Sequence, residues 1–340
     1  MISRKYLQWI CILLLLWSIA GGLLVPLSPN IETVEYHRND SIISFNVGIP
    51  KLKEPVEEFF LVASSSALKS TRIIQSQSLT KKSDYYEVKF LNPNRFNEVL
   101  KGEAYDLVAK TKSVGYLHSF LAYYVDSAIG GQDFEPIVLE KMVAPFRFSF
   151  PNRAILQETI RNLFFHVPMW FTMMALLIYS LVNSILFLRS GDLKRDLKSK
   201  TSAQIAIYFG LLGLLTGMVW ARYTWGAFWP KEEWKLDGAA IGMLAYLAYF
   251  VLRSSVNDEI KRAKLSSVYN IFAFMIYFVF IWIIPRIQQS LHPGNGGNPG
   301  FNIYEQDNVM RMFFYPAVVG WIMLAFWMRE LYARAEEEAI

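Results

Sequence analysis

Six apolar runs dominate the chain, at residues 7–27, 162–188, 203–221, 238–253, 267–285 and 310–328. Each is close to the roughly 20 residues that a helix needs to cross a bilayer. Hydrocarbon offers no partner to a backbone N–H or C=O, so a spanning segment must satisfy them internally, and a helix does so. The fold class expected is an all-α polytopic membrane protein with six transmembrane helices. Composition agrees: 53% of the 340 residues are apolar, and they gather in blocks instead of alternating. Cys11, the single cysteine, lies inside the first run. That excludes an intrachain disulfide, a Cys-x-x-Cys redox pair and thioether attachment of haem within the chain. The first run follows Arg4 and Lys5, but its end, Leu23 to Ser28, lacks a small-x-small cleavage site. It reads as a retained anchor and not as a cleaved signal.

The loops separate by charge. Residues 189–202 carry Arg189, Lys194, Arg195, Lys198 and Lys200, and residues 253–266 carry Arg253, Lys261, Arg262 and Lys264. Arg4 and Lys5 precede the first run, and Arg329 and Arg334 follow the last. Lys and Arg mark cytoplasmic loops, which puts all four groups, and both termini, in the cytoplasm. Segments 28–160, 222–237 and 286–309 then face outward. The net charge of +5 collects beside the membrane and does not imply nucleic acid. The expected division is a first transmembrane helix at 1–30, an inserted extracytoplasmic domain at 31–150, a five-helix membrane domain at 151–330 and a cytoplasmic tail at 331–340.

The insertion is too polar to span. Strand-like fragments occur at Ser41–Val47, Phe59–Ala63, Tyr85–Phe90 and Tyr105–Val108, with turn residues such as Gly48-Ile49-Pro50 and Asn92-Pro93-Asn94 between them. A mainly-β, sandwich-like domain is expected. Residues 113–150 stay undecided: Tyr116, Leu117, Phe120, Leu121 and Tyr124 recur at helical spacing, whereas Phe146 to Phe150 alternates like a strand.

The chemistry concentrates on the outward side. Between the third and fourth runs, Trp220, Trp225, Trp229 and Trp234 crowd one segment, 220–237, with Tyr223 and Phe228. A membrane-interface belt needs only one or two such rings per helix end. So dense a patch suits a large, flat, amphipathic ligand, and haem has that shape. His166, early in the second run, and His292, just beyond the fifth, fall on the same side. Imidazoles from two separate helices can approach opposite faces of a porphyrin and ligate its iron. Arg161 and Arg222 offer guanidinium forks suited to the propionates. Without the aromatic patch, each histidine would read as an interfacial or packing residue, and each arginine as a headgroup contact. His37 and His118 belong to the insertion and are read as surface or packing residues.

These residues resemble the cytochrome c assembly protein family, and more closely its haem exporter protein C branch. Trp225-Gly226-Ala227-Phe228-Trp229 matches the first half of that family's Trp-Gly-x-x-Trp-x-Trp-Asp loop. The second half departs, because Pro230 to Glu233 stand before Trp234, with Asp237 closing the motif. His166-Val167-Pro168 matches the family's first axial-histidine motif, and Leu291-His292-Pro293-Gly294 its second. The likeness covers the first span and about 151–330, leaving the insertion outside it. It implies a multi-pass protein of the bacterial inner membrane that is not an enzyme. It implies haem b, bound without a covalent link through two axial histidines. The partners implied are ATP-binding-cassette subunits of cytochrome c maturation and a periplasmic haem chaperone, while the insertion could dock an apocytochrome or another assembly protein. Three rivals stay open: a haem lyase subunit acting on apocytochrome, a membrane-anchored partner-binding protein without haem, and a transporter of another solute. The last should show polar residues at mid-bilayer, where only Asn183, Asn270 and Ser180 stand out.

Overall fold

Among the described residues, six helices are long and apolar enough to cross a membrane. They are α1 (Arg4–Leu24), α2 (Leu163–Ser190), α3 (Leu193–Trp225), α4 (Trp234–Ser254), α5 (Glu259–Phe278, continued by a π-helical turn at Val279–Ile283) and α7 (Asn308–Glu338). A short α6 (Ile284–Ile287) follows the π turn. The computed structural model describes residues 4–50, 52–63, 73–96, 104–125, 148–150, 156–231, 233–288 and 308–338. The chain divides into two units, Met1–Val25 with Thr159–Ile340, and Pro26–Glu158.

Local chemistry sets the helix ends. Gly191 closes α2 at φ 71°, a left-handed position that favours glycine, with its N–H on Phe187 O at 2.8 Å. Asp192 opens α3 by accepting from Lys194 N at 3.0 Å. Two residues thus turn the chain from α2 into an antiparallel α3. Asp258 caps α5 in the same way, on Lys261 N at 2.6 Å. The helices outrun the apolar stretches that announce them. With 33 residues, α3 is about 50 Å long, against about 30 Å of hydrocarbon.

Ion pairs gather the cationic helix ends together. Arg4 meets Glu330, Lys200 meets Glu336 at 2.5 Å, and Arg253 forms a two-point pair with Asp196. The start of α1, the start of α3, the end of α4 and the end of α7 therefore share one end of the bundle. Arg253, counted above as a loop charge, is buried against Asp196. A little inside that end, Asn270 Nδ2 lies 2.9, 2.8 and 3.1 Å from the hydroxyls of Ser180, Ser184 and Ser199. These contacts, drawn from α2, α3 and α5, join the helices through Asn270 Nδ2. Ser184 and Ser199 lie close to the α2–α3 turn, so the cluster sits towards the cationic end and not at the middle of the spans.

The second unit is a β-sandwich. One antiparallel sheet has the order β1-β2-β6-β5 and the other β4-β3-β7-β8. The strands are β1 (Glu32–Arg38), β2 (Ile42–Gly48), β3 (Val56–Ala63), β4 (Ile73–Gln75), β5 (Ser78–Lys81), β6 (Tyr86–Leu91), β7 (Ala104–Thr111) and β8 (Gly115–Tyr124). Phe45, Val47, Val88 and Phe90 of one sheet share a core with Phe59, Leu61, Leu107 and Ala109 of the other. The stretch from Tyr116 to Tyr124, left undecided by its spacing, is strand β8, paired with β7. Leu117 and Tyr123 belong to the sandwich core, and tertiary pairing overrides a short periodic match. Phe150 bridges to Leu27, and residues 126–147 lie outside the described residues.

Candidate functional site

The end of α2 away from the cationic end of the bundle is built from contacts that fix His166. A 3₁₀ turn at Gln157–Asn162 leads into α2. From this turn Arg161 Nη1 donates to Gly22 O at 2.8 Å and Val25 O at 2.9 Å. A cation here satisfies the terminal carbonyls of α1 and opposes the negative end of its dipole. Arg161, expected at a propionate, gives at least this nitrogen to the helix end. Pro168, which lacks an N–H, follows two residues after His166. It lies inside α2, which begins earlier, at Leu163, and its missing N–H removes one bond of the first turns.

Helix α3 receives α2 along glycines. An added Cβ would stand 2.9 Å from the Trp170 ring at Gly213 and 2.7 Å from His166 Cε1 at Gly217. The spacing Gly213-x-x-x-Gly217 is the small-residue pattern that lets membrane helices approach closely. That closeness brings His166 Nδ1 to 2.9 Å from Gly213 O and 3.1 Å from Thr216 Oγ1. A carbonyl oxygen only accepts, so Nδ1 carries the proton. The Thr216 hydroxyl hydrogen has its own acceptor, Leu212 O at 2.8 Å, which leaves its oxygen free to share the imidazole N–H. In the neutral imidazole this places the lone pair on Nε2. An imidazole held through Nδ1 by a backbone carbonyl is the arrangement that metal-ligating histidines use. The Trp170 ring stands edge-on to His166, with centroids 6.2 Å apart.

The aromatic segment is less of a loop than its sequence suggests. Trp220 and Trp225 lie in the last turns of α3, and Trp234 is the first residue of α4. Only the stretch between Trp225 and Trp234 is non-helical. Trp220 and Trp225 meet edge-to-face, with centroids 4.9 Å apart. Gly226 ends α3 at φ 80°, a left-handed position that favours glycine, with nothing within 4 Å of an added Cβ. Arg222 donates to Gly226 O and lies 5.9 Å over the Phe228 ring. Trp229 Nε1 donates to Asp237 Oδ1 at 2.8 Å, which ties the loop to the first turn of α4. Trp229 and Trp234 remain 38% and 37% exposed, enough to offer ring surface to a ligand. The departure from the family motif, Pro230 to Glu233, ends in Glu233, which is buried and caps α4 on Lys235 N at 3.2 Å.

His166, the four tryptophans, Arg222 and Asp237 thus stand at the bundle end opposite the cationic one. His292 lies outside the described residues. Gly213, Gly217, Thr216 and Trp170 were missed in the sequence. The glycine spacing was the readable signal, while the hydrogen bond to a backbone carbonyl leaves no trace in residue types.

The family profile described as Heme exporter protein C matches residues 137–336, more than half of the chain. The match covers α2 to α7 and leaves out α1, which the sequence likeness had included. Heme exporter protein C of Paracoccus denitrificans (strain Pd 1222) is 29% identical over 141 residues, covering 40% of this chain and 56% of that protein. Heme exporter protein C of Bradyrhizobium diazoefficiens is 31% identical over 111 residues, covering 32% and 41%. Cytochrome c biogenesis protein CcsA of Prochlorococcus marinus subsp. pastoris is 32% identical over 103 residues, covering 29% and 31%. The chain spans about half the length of the first two relatives. On the extent of the profile match, this chain belongs to the Heme exporter protein C family.

Proposed function

We propose that the protein is a non-enzymatic haem carrier of cytochrome c maturation, holding haem b at the outer face of the bacterial inner membrane. The observation that carries this reading is the 2.9 Å hydrogen bond between His166 Nδ1 and the backbone oxygen of Gly213, the kind of bond by which metal-ligating histidines are oriented. The aromatic segment at the same bundle end supplies ring surface, and Asp237 fixes one ring of it. In this reading His292 is the second axial ligand. Trp220, Trp225, Trp229 and Trp234 pack on the porphyrin, and Arg222 serves a propionate. Both termini are cytoplasmic and the sandwich is extracytoplasmic. Haem passes to a periplasmic haem chaperone, with ATP-binding-cassette subunits as partners.

The test is the absorption spectrum of mildly solubilised protein. His166→Ala and His292→Ala should each lose the low-spin bis-imidazole bands and retain less haem, while His37→Ala should match the wild type. Unchanged bands in both of the first two variants would refute the ligand assignment. A second reading, direct joining of haem to apocytochrome, is favoured by the likeness to proteins named for cytochrome c biogenesis. Covalent haem transfer to an apocytochrome by the purified protein alone would establish it in place of the carrier.

A further inference from the structure

Several basic residues at the cationic end have acidic partners: Arg4 and Arg334 on Glu330, Lys200 on Glu336, and Arg253 on Asp196. Arg195 and Arg329, both partly buried, have no carboxylate among the described residues. Arg329 Nε and Nη1 are buried with no hydrogen-bond partner among the described residues. Its guanidinium lies 5.2 Å over the ring of Tyr179, which meets Phe326 edge-on at 5.3 Å. Arg195 Nη1 makes one long contact, 3.3 Å to Asn183 Oδ1. Asn183 in turn donates to Tyr179 O at 2.8 Å. Tyr179 and Asn183 are four residues apart, so they lie one above the other on one face of α2. From α3 and from α7, an arginine is brought to that face.

Guanidinium nitrogens buried without a counter-charge, as at Arg329, are costly, so the site calls for an anion from outside the chain, with Arg195 beside it as a second donor. Its depth narrows the choice. Arg329 stands where the last apolar run ends, and its guanidinium turns back onto the Tyr179 ring. That is the level at which headgroup phosphates meet acyl chains. A planar guanidinium suits phosphate geometry, and basic pockets between helices on the cytoplasmic side bind anionic headgroups. The rings of Tyr179 and Phe326 suit an acyl chain better than they suit a free ion.

We infer that Arg195 and Arg329 clamp the phosphate of an anionic phospholipid at the cationic end of the bundle, with Tyr179 and Phe326 beside its acyl chain. Naming the cytoplasmic leaflet rests on the orientation proposed above; the site itself does not depend on haem. The test is native mass spectrometry of the full chain released from bilayers of phosphatidylglycerol or of phosphatidylcholine, with haem content read on the same samples. The wild type should retain phosphatidylglycerol and not phosphatidylcholine. Arg329→Gln and Arg195→Gln should each reduce retention by about tenfold or more, a change of about 1.4 kcal/mol. Arg334→Gln, whose arginine already has Glu330, should not reduce it. If Arg329→Gln misfolds, Arg329→Lys and Arg195→Gln still decide, because a point charge should hold the lipid less well than the fork. Equal retention in the arginine variants, or equal retention of both lipids by the wild type, would overturn the proposal. Equal thermal stabilisation by inorganic phosphate in lipid-free micelles would do the same, by showing a free-anion site. A wild type that retains lipid but binds no haem would sink the haem reading and leave this one standing.

Discussion

At Gly217 a single methyl group would stand 2.7 Å from His166 Cε1, closer than real Cβ contacts come, so either the imidazole turns or the helices part. Either movement disturbs the 2.9 Å bond between Nδ1 and Gly213 O that fixes the tautomer. Gly217→Ala should therefore weaken haem binding by about 10–100-fold, the range seen when a metal ligand loses its orienting partner. Haem titration, with helical content checked by circular dichroism, measures it; wild-type affinity in the variant would show that the glycine serves only helix packing. The position of His166 near the start of an apolar run was legible. Its tautomer was not, because that depends on a carbonyl 47 residues away in sequence.

The element that shapes the aromatic face is the junction of α3 and α4. Trp229 would be one more exposed ring but for its bond to Asp237, 2.8 Å long and made across the loop. If that bond sets the ring's orientation, Trp229→Ala and Asp237→Ala should each cost haem binding about 1–3 kcal/mol, the scale of stacking on an aromatic side chain. The double variant should cost little more than either alone, since coupled residues are not additive. Asp237→Asn keeps an acceptor and should lose less. Fully additive losses in the titrations would mean that Asp237 acts elsewhere. Here the sequence announced the tryptophans and the acid. It placed Trp220 and Trp225 in a loop, where the structure has helix: the left-handed turn at Gly226 ends α3 later than the apolar run suggests.

Across the whole molecule, the sandwich at Pro26–Glu158 and the helical unit are separate compact bodies, and the sandwich has a core of its own residues. Replacing 31–150 by a short linker should leave the helices inserted and haem content near the wild-type value, with delivery to a partner lost. Haem per chain in purified membranes checks this, and a correctly inserted variant without haem would show that the sandwich helps to form the site. Helix number, helix order and the clustering of basic loops were all readable, because a bilayer demands long apolar runs and Lys and Arg resist burial in them. The strands at Ser41–Val47 and Tyr85–Phe90 were also readable from turn residues at their ends. Strand β8 was not, because its aromatic spacing fits a helix and only pairing with β7 decides otherwise. The burial of Arg253 against Asp196, the glycine seam of α3 beneath His166 and the buried guanidinium nitrogens of Arg329 with Arg195 beside them were likewise beyond the sequence. What the sequence determined was what water and lipid impose on each segment by itself. What only the tertiary structure decided was which polar groups meet once segments distant in the chain come within hydrogen-bonding reach.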